Sequence, residues 1–122
     1  MRILLADDQA KVRFALRVLL EKQPDYEVCA EAVDTEGLMA LIEADCPSVL
    51  LLAWELPGQK MEELLPALHE ACPNLRVVAL SGRPELRATA LASGADTFVC
   101  KCDPPEGLLE IIARYRDGQA PS

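Results

Sequence analysis

Apolar residues along this chain alternate between short unbroken runs and longer stretches spaced at threes and fours. Ile3-Leu4-Leu5-Ala6 is a short run, closed by Asp7-Asp8. Val12, Ala15, Leu16 and Leu19 then recur at helical spacing, with Arg13, Arg17 and Glu21 off that stripe. Gln23-Pro24-Asp25 breaks the helix, and Tyr26 to Ala32 alternates like a strand with one wetter face. Asp34 or Thr35 can cap a second helix, whose stripe is Leu38, Leu41 and Ile42. Cys46-Pro47 ends it. Ser48 to Trp54 is nearly all apolar, as expected of a parallel strand buried on both faces.

The alternation continues after a turn at Leu56-Pro57-Gly58. Met61, Leu64, Leu65 and Leu68 predict a third helix, which Pro66 must kink or restart. Arg76 to Ser81 is a fourth strand. Pro84 suits the first turn of a fourth helix, and Gly94 can end it in a left-handed conformation. Thr97 to Lys101 is a fifth strand, and Pro104-Pro105 opens a fifth helix, which Asp103 could cap, with Leu108, Ile111, Ile112 and Tyr115 inward. Five strand–helix units joined by short connections imply parallel strands, right-handed crossovers and helices on both faces of one sheet.

Composition narrows the class. The chain has 122 residues, room for one ordinary domain. Hydrophobic residues make up 51%, too many for a disordered chain. No apolar run approaches the length of a bilayer span, and no secretory leader is expected. With 12 Lys and Arg against 20 Asp and Glu the net charge is −8, which argues against this chain gripping nucleic acid or an acidic membrane. The five cysteines, Cys29, Cys46, Cys72, Cys100 and Cys102, are odd in number and irregular in spacing. They read as reduced thiols of a cytoplasmic protein, and the close pair Cys100 and Cys102 as small hydrophobes near a strand.

In an open parallel sheet, ligands bind outside the carboxyl ends of the strands. Those ends carry Asp7 and Asp8 after the first strand, Ala53 to Glu55 after the third, Ser81 on the fourth and Lys101 on the fifth. A carboxylate pair suits Mg²⁺, which demands oxygen ligands. A hydroxyl and a lysine suit phosphoryl oxygens. Alone, Asp7-Asp8 could cap a helix, Ser81 and Lys101 could be solvated strand ends, and Phe98 could be core. Together they predict a small Mg²⁺ and phosphoryl site, except that position 53 offers only a methyl group; Trp54 after it would pack beside the pocket, partly exposed.

Four segments in order, each at a strand end, carry a family resemblance: Leu4 to Asp8, Leu51 to Gly58, Leu80-Ser81, and Gly94 to Lys101. Over nearly its whole length the chain resembles the receiver domain of two-component response regulators. Trp54-Glu-Leu-Pro-Gly58 and Lys101-Cys-Asp-Pro-Pro105 are similar to regulators with a LuxR/NarL-type helix-turn-helix output. The resemblance implies a flavodoxin-like (βα)5 three-layer sandwich with parallel strand order 2-1-3-4-5. Residues 1–117 would be the receiver, and 118–122 a polar tail or the start of a linker.

It also implies roles. Asp7, Asp8 and the backbone carbonyl of Glu55 would hold Mg²⁺. Lys101 and Ser81 would bind phosphoryl oxygens. Phe98 would be the switching aromatic, coupling the site to the face of the fourth helix, fifth strand and fifth helix. Implied partners are a sensor histidine kinase and an output domain or partner protein on that face, with a homodimer possible. No catalytic residue remains, because Ala53 stands where the family's phosphoacceptor aspartate stands. Phosphorylation there would be impossible and Mg²⁺ binding weakened. Cys102 replaces the proline of a Lys-Pro cis peptide common in relatives. Two other readings compete. One is a scaffold of receiver fold that binds partners without phosphorylation. The other is a flavin-binding enzyme, disfavoured because Asp7 and Asp8 would repel the flavin's phosphate.

Overall fold

The computed structural model describes residues 1–118. The tail expected at 118–122 lies, from 119 onward, outside the described residues. Strands β1 (Arg2–Ala6), β2 (Glu27–Ala32), β3 (Val49–Ala53), β4 (Arg76–Ser81) and β5 (Thr97–Cys100) form one sheet. All neighbours are parallel, in the order β2-β1-β3-β4-β5. The helices are α1 (Ala10–Glu21), α2 (Thr35–Ala44), α3 (Met61–Ala71), α4 (Arg87–Ala92) and α5 (Pro105–Arg116). This is the expected doubly wound architecture, strand order included. No helix among the described residues is long and apolar enough to cross a membrane.

The core divides into two layers because the sheet has two covered faces. One layer packs Leu38 and Ile42 of α2 and Leu64, Leu65 and Leu68 of α3 against Leu50, Leu52 and Val77. The other packs Leu20 of α1 and Leu108, Ile112 and Tyr115 of α5 against Ile3, Leu5, Leu51 and Val78. Every residue of β3 is buried, as its unbroken apolar run requires of a central strand. In β2, paired on one side only, Ala32 alone is buried. Burial pushes the Tyr115 phenol above its ordinary pKa, against the opposing pull of its 2.5 Å hydrogen bond with Thr97.

Local chemistry sets the helix ends. Of the two candidate caps, Asp34 caps α2, accepting a 2.7 Å bond from the Gly37 amide. Helix α3 runs unbroken through Pro66. Pro66 and Glu62, whose carbonyl loses the helical partner, both lie on the exposed face, where the carbonyl is open to solvent. The fourth helix begins as a 3₁₀ turn, Pro84–Leu86, before α4, and Gly94 at φ 116° follows it. Asp103 does not cap α5; Pro104 holds the cap position without a side-chain bond.

Three expectations need correction. The α1 stripe of Val12, Ala15, Leu16 and Leu19 is not its buried face: only Leu20 is buried, and Ala15 is exposed. An apolar groove of about 350 Å³ runs between α1 and α5, so this stripe lines a cleft instead of filling it. Trp54, expected to be partly exposed beside the pocket, is buried at 9% exposure in the α2–α3 core layer. The cysteines are not all reduced thiols. Cys46 is bonded to Cys72 and Cys100 to Cys102, leaving Cys29 as the free cysteine of the described residues. The Cys46–Cys72 bond joins positions 26 residues apart at a Cα separation of 5.8 Å. A loop of that length is worth roughly 3–4 kcal/mol in loop-closure entropy.

Gly58 positions the loop that follows β3. It sits at φ 121°, and a Cβ there would lie 2.1 Å from Thr35 Oγ1. That hydroxyl accepts a 2.8 Å bond from the Gln59 amide, and the Thr35 amide donates to the Pro57 carbonyl at 3.0 Å. Thr35 is therefore held from both sides and cannot retreat. Gly58→Ala is expected to cost roughly 1–3 kcal/mol through backbone strain and the clash. Urea unfolding reads this as a lower midpoint at unchanged slope.

Candidate functional site

Sheet register brings the candidate residues to one edge. Ala6 pairs with Leu52, so Asp7, the next residue, comes level with Ala53. Ala53 pairs with Leu80, and Ser81 with Cys100, the residue before Lys101. Four positions far apart in sequence thus meet because each follows or ends a strand of one parallel sheet.

Asp7 is the centre of the site, only 2% exposed. Its Oδ1 accepts from the Gln9 amide at 2.9 Å, and its carbonyl accepts from Arg13 Nη1 at 2.7 Å. Its Oδ2 is buried and receives no well-aligned hydrogen bond. The Lys101 ammonium lies 2.8 Å from that oxygen, so charge contact is made while the bonding direction is poor. Burying a carboxylate is costly unless it is paired and hydrogen-bonded. A buried oxygen with spare lone pairs is therefore a place for a cation. Asp8 beside it is exposed, and Gln9, not either aspartate, holds the N-cap position of α1. Helix capping does not account for the acidic pair.

Ser81 and Glu55 meet across the site. Ser81 Oγ, fully buried, donates to Glu55 Oε1 at 2.5 Å and accepts from the Arg83 amide at 3.1 Å. A phosphoryl oxygen would have to displace Glu55 to engage this hydroxyl. The sequence pointed to the Glu55 carbonyl; the carboxylate contact with Ser81 had no signal in it, because the two residues are 26 apart, one in the turn after β3 and the other at the end of β4. Ala53 closes β3 at 2% exposure and brings no oxygen, nitrogen or sulfur beyond its backbone.

Lys101 is held by its own amide, which donates to the Ser81 carbonyl at 2.8 Å. The loop after it contains no cis peptide, and an Asp103 amide bond to the Cys100 carbonyl at 3.0 Å forms a turn. Phe98 points into the core at 2% exposure, with the Arg87 guanidinium 5.2 Å above its ring. Residues of α4, β5 and α5, including Arg87, Phe98 and Ile111, line one shallow cleft. Among the described residues Asp7, Asp8 and Glu55 do not cluster three carboxylates tightly; the expected set there is two carboxylates and a carbonyl. The tight triad is Cys100, Cys102 and Asp103, where the two sulfurs are bonded to each other.

Comparison with known proteins places the chain in a family. The chain is 34% identical over 119 residues to the nitrate/nitrite response regulator protein NarL of Escherichia coli K12, covering 96% of this chain and 55% of NarL. It is 33% identical over 113 residues to the virulence regulator BvgA of Bordetella pertussis, covering 91% of this chain and 52% of BvgA. The chain therefore spans about half the length of these curated relatives. A LuxR-family two-component response regulator from Aurantimonas superposes with a TM-score of 0.87 at 27% identity, covering 98% of this chain and 86% of that one. The signal receiver domain of a response regulator NarL from Mycobacterium tuberculosis gives 0.85 at 25% identity, covering 97% of both chains. The sequence profile of the response regulator receiver domain matches residues 3–113. By that match and these relatives, the chain belongs to the receiver domains of two-component response regulators.

Proposed function

We propose that this chain is a two-component receiver in which Ala53 has replaced the phosphoacceptor, so that the phosphorylation switch is silent. The carrying observation is the pairing of an acidic pocket, with Asp7 Oδ2 buried and short of hydrogen bonds, with a methyl group at the end of the central strand. A carboxylate at that point could attack phosphorus with a metal offsetting the charge; a methyl group cannot. Asp7, Asp8 and the Glu55 carbonyl would hold Mg²⁺, and Asp7 Oδ2, which faces Lys101 without a well-aligned hydrogen bond, fits that role. With one anionic ligand fewer, the site would bind the ion more weakly than a complete one. Bound Mg²⁺ would supply positive charge for phosphoryl oxygens. Lys101 and Ser81 would engage those oxygens once released from Asp7 and Glu55.

The same reading proposes the partners. A sensor histidine kinase would dock without transferring its phosphoryl group to position 53. The α4–β5–α5 face, with Phe98 beneath Arg87, would contact an output domain, a partner protein or a second copy. The acidic balance favours neither nucleic acid nor membrane as a direct partner, and the domain would work in the cytoplasm over residues 1–117.

A second reading has its own support. Lys101 already neutralises Asp7, and Ser81 already satisfies Glu55, so the edge is closed by its own side chains. That favours a phosphorylation-independent interaction scaffold. Both readings expect the chain to keep its mass when incubated with acetyl phosphate and Mg²⁺. Intact-mass spectrometry checks this, and a phosphoryl adduct on any residue would overturn the silent-site reading.

A further inference from the structure

The two cysteines flanking Lys101 have chemistry that the receiver reading does not use. Cys100 ends β5 and is 4% exposed, whereas Cys102 is exposed in the loop before α5. Their Cα atoms are 5.1 Å apart, a span that suits a disulfide, and the sulfurs are bonded. We propose that Cys100 and Cys102 form a redox-active dithiol–disulfide site that exchanges with small-molecule disulfides of the glutathione type.

Four observations support this assignment. Backbone bonds that do not involve the sulfurs bracket the pair: the Lys101 amide bonds the Ser81 carbonyl, and the Asp103 amide bonds the Cys100 carbonyl. Exposure orders the chemistry, since an incoming disulfide reaches Cys102 and not Cys100. The Cys102 amide donates to Cys100 Sγ at 3.3 Å, which stabilises charge on that sulfur whenever it leaves. Finally, the ring spans one intervening residue, so cross-linking removes little chain entropy and leaves the bond easily opened. Cys46, also exposed, and the buried Cys72 are 26 residues apart, so their link removes far more chain entropy and forms the contrasting structural bond.

The exchange balances as follows. The Cys102 thiolate attacks one sulfur of oxidised glutathione, whose S–S bond breaks. One glutathione thiolate leaves with the bonding pair, and a mixed disulfide forms on Cys102. The Cys100 thiolate then attacks Cys102 Sγ and expels the second glutathione thiolate. Two protein thiols are oxidised, one glutathione disulfide is reduced to two thiols, and the protein's thiol protons pass to the leaving thiolates. The middle residue of the ring is Lys101, whose ammonium reaches Asp7. Oxidation therefore stiffens the backbone that carries this contact. The exchange chemistry itself is independent of how Ala53 is read.

The test uses the full chain equilibrated in glutathione buffers of stepped ratio, quenched with acid, alkylated and mapped by mass spectrometry. Cys100 and Cys102 are expected to lose their alkyl labels together as oxidised glutathione rises, with one internal link replacing both. On reduction this link opens while Cys46–Cys72 still holds. In Cys100→Ser the mixed disulfide on Cys102 has no resolving thiol and accumulates several-fold over the parent chain, whereas Cys102→Ser leaves Cys100 without glutathione. The proposal is overturned if both labels persist at every ratio, if each cysteine carries its own glutathione without a link, or if the link opens only after Cys46–Cys72. These readouts on the parent chain decide the matter even if a serine variant fails to fold.

Discussion

Ala53→Asp is expected to turn a chain that gains no mass into one that gains a single phosphoryl group. The donor would be acetyl phosphate with Mg²⁺, and intact-mass spectrometry would read the adduct. The new carboxylate would stand at the end of β3, level with Asp7 by register and one residue before Trp54. It would join Asp7 and Asp8 as a further anionic oxygen donor, completing a ligand set that Mg²⁺ prefers. The metal then offsets the negative charge that otherwise repels an incoming phosphoryl group. Without metal the substitution should hurt, because position 53 is 2% exposed and its neighbour Asp7 is buried and charged. A second carboxylate placed there costs on the order of 1–3 kcal/mol in unfolding free energy. Mg²⁺ should restore most of it, since a ligand that binds only the native state stabilises that state. A folded Ala53→Asp chain that stays unmodified would shift the balance to the scaffold reading.

The elements that sequence alone made legible are those whose burial is decided by one periodicity. The run Ser48 to Trp54 had to hold a central strand, because both its faces are apolar, and all five residues of β3 within it are buried. The α3 stripe of Met61, Leu64, Leu65 and Leu68 is buried for the same reason. Helix α1 was harder. It carries apolar residues on more than one side, with Phe14 69% and Val18 38% exposed, so the stripe of Val12, Ala15, Leu16 and Leu19 did not identify the inward face. The site was legible as positions, because a parallel sheet lines up its strand ends. Its internal bonding was not. Ser81 to Glu55 and Lys101 to Asp7 depend on side-chain reach across strands. The Cys46–Cys72 pairing is equally invisible in an odd count of scattered cysteines, since it depends on the ends of α2 and α3 lying side by side.

Lys101→Met should lower stability by roughly 2–4 kcal/mol in the absence of divalent cations, and Mg²⁺ should return much of the loss. The Asp7 carboxylate is 2% exposed, and Lys101 is the one cation paired with it among the described residues. Removing one partner of a buried ion pair leaves the other charge desolvated without compensation, typically at 3–5 kcal/mol. The Lys101 side chain is 21% exposed, so water screens part of the contact and the expected cost sits at or below that range. Methionine keeps the unbranched apolar stem and most of the length, which largely isolates the charge. Because Asp7 Oδ2 then has neither a cation nor a good hydrogen bond, Mg²⁺ becomes its only strong partner. Urea unfolding with and without Mg²⁺ measures both numbers. The parent chain should gain little from the ion, since Lys101 competes with it for the same oxygen, and the variant should gain markedly more. Equal gains in the two chains would mean that the ion, if it binds at all, does so away from Asp7.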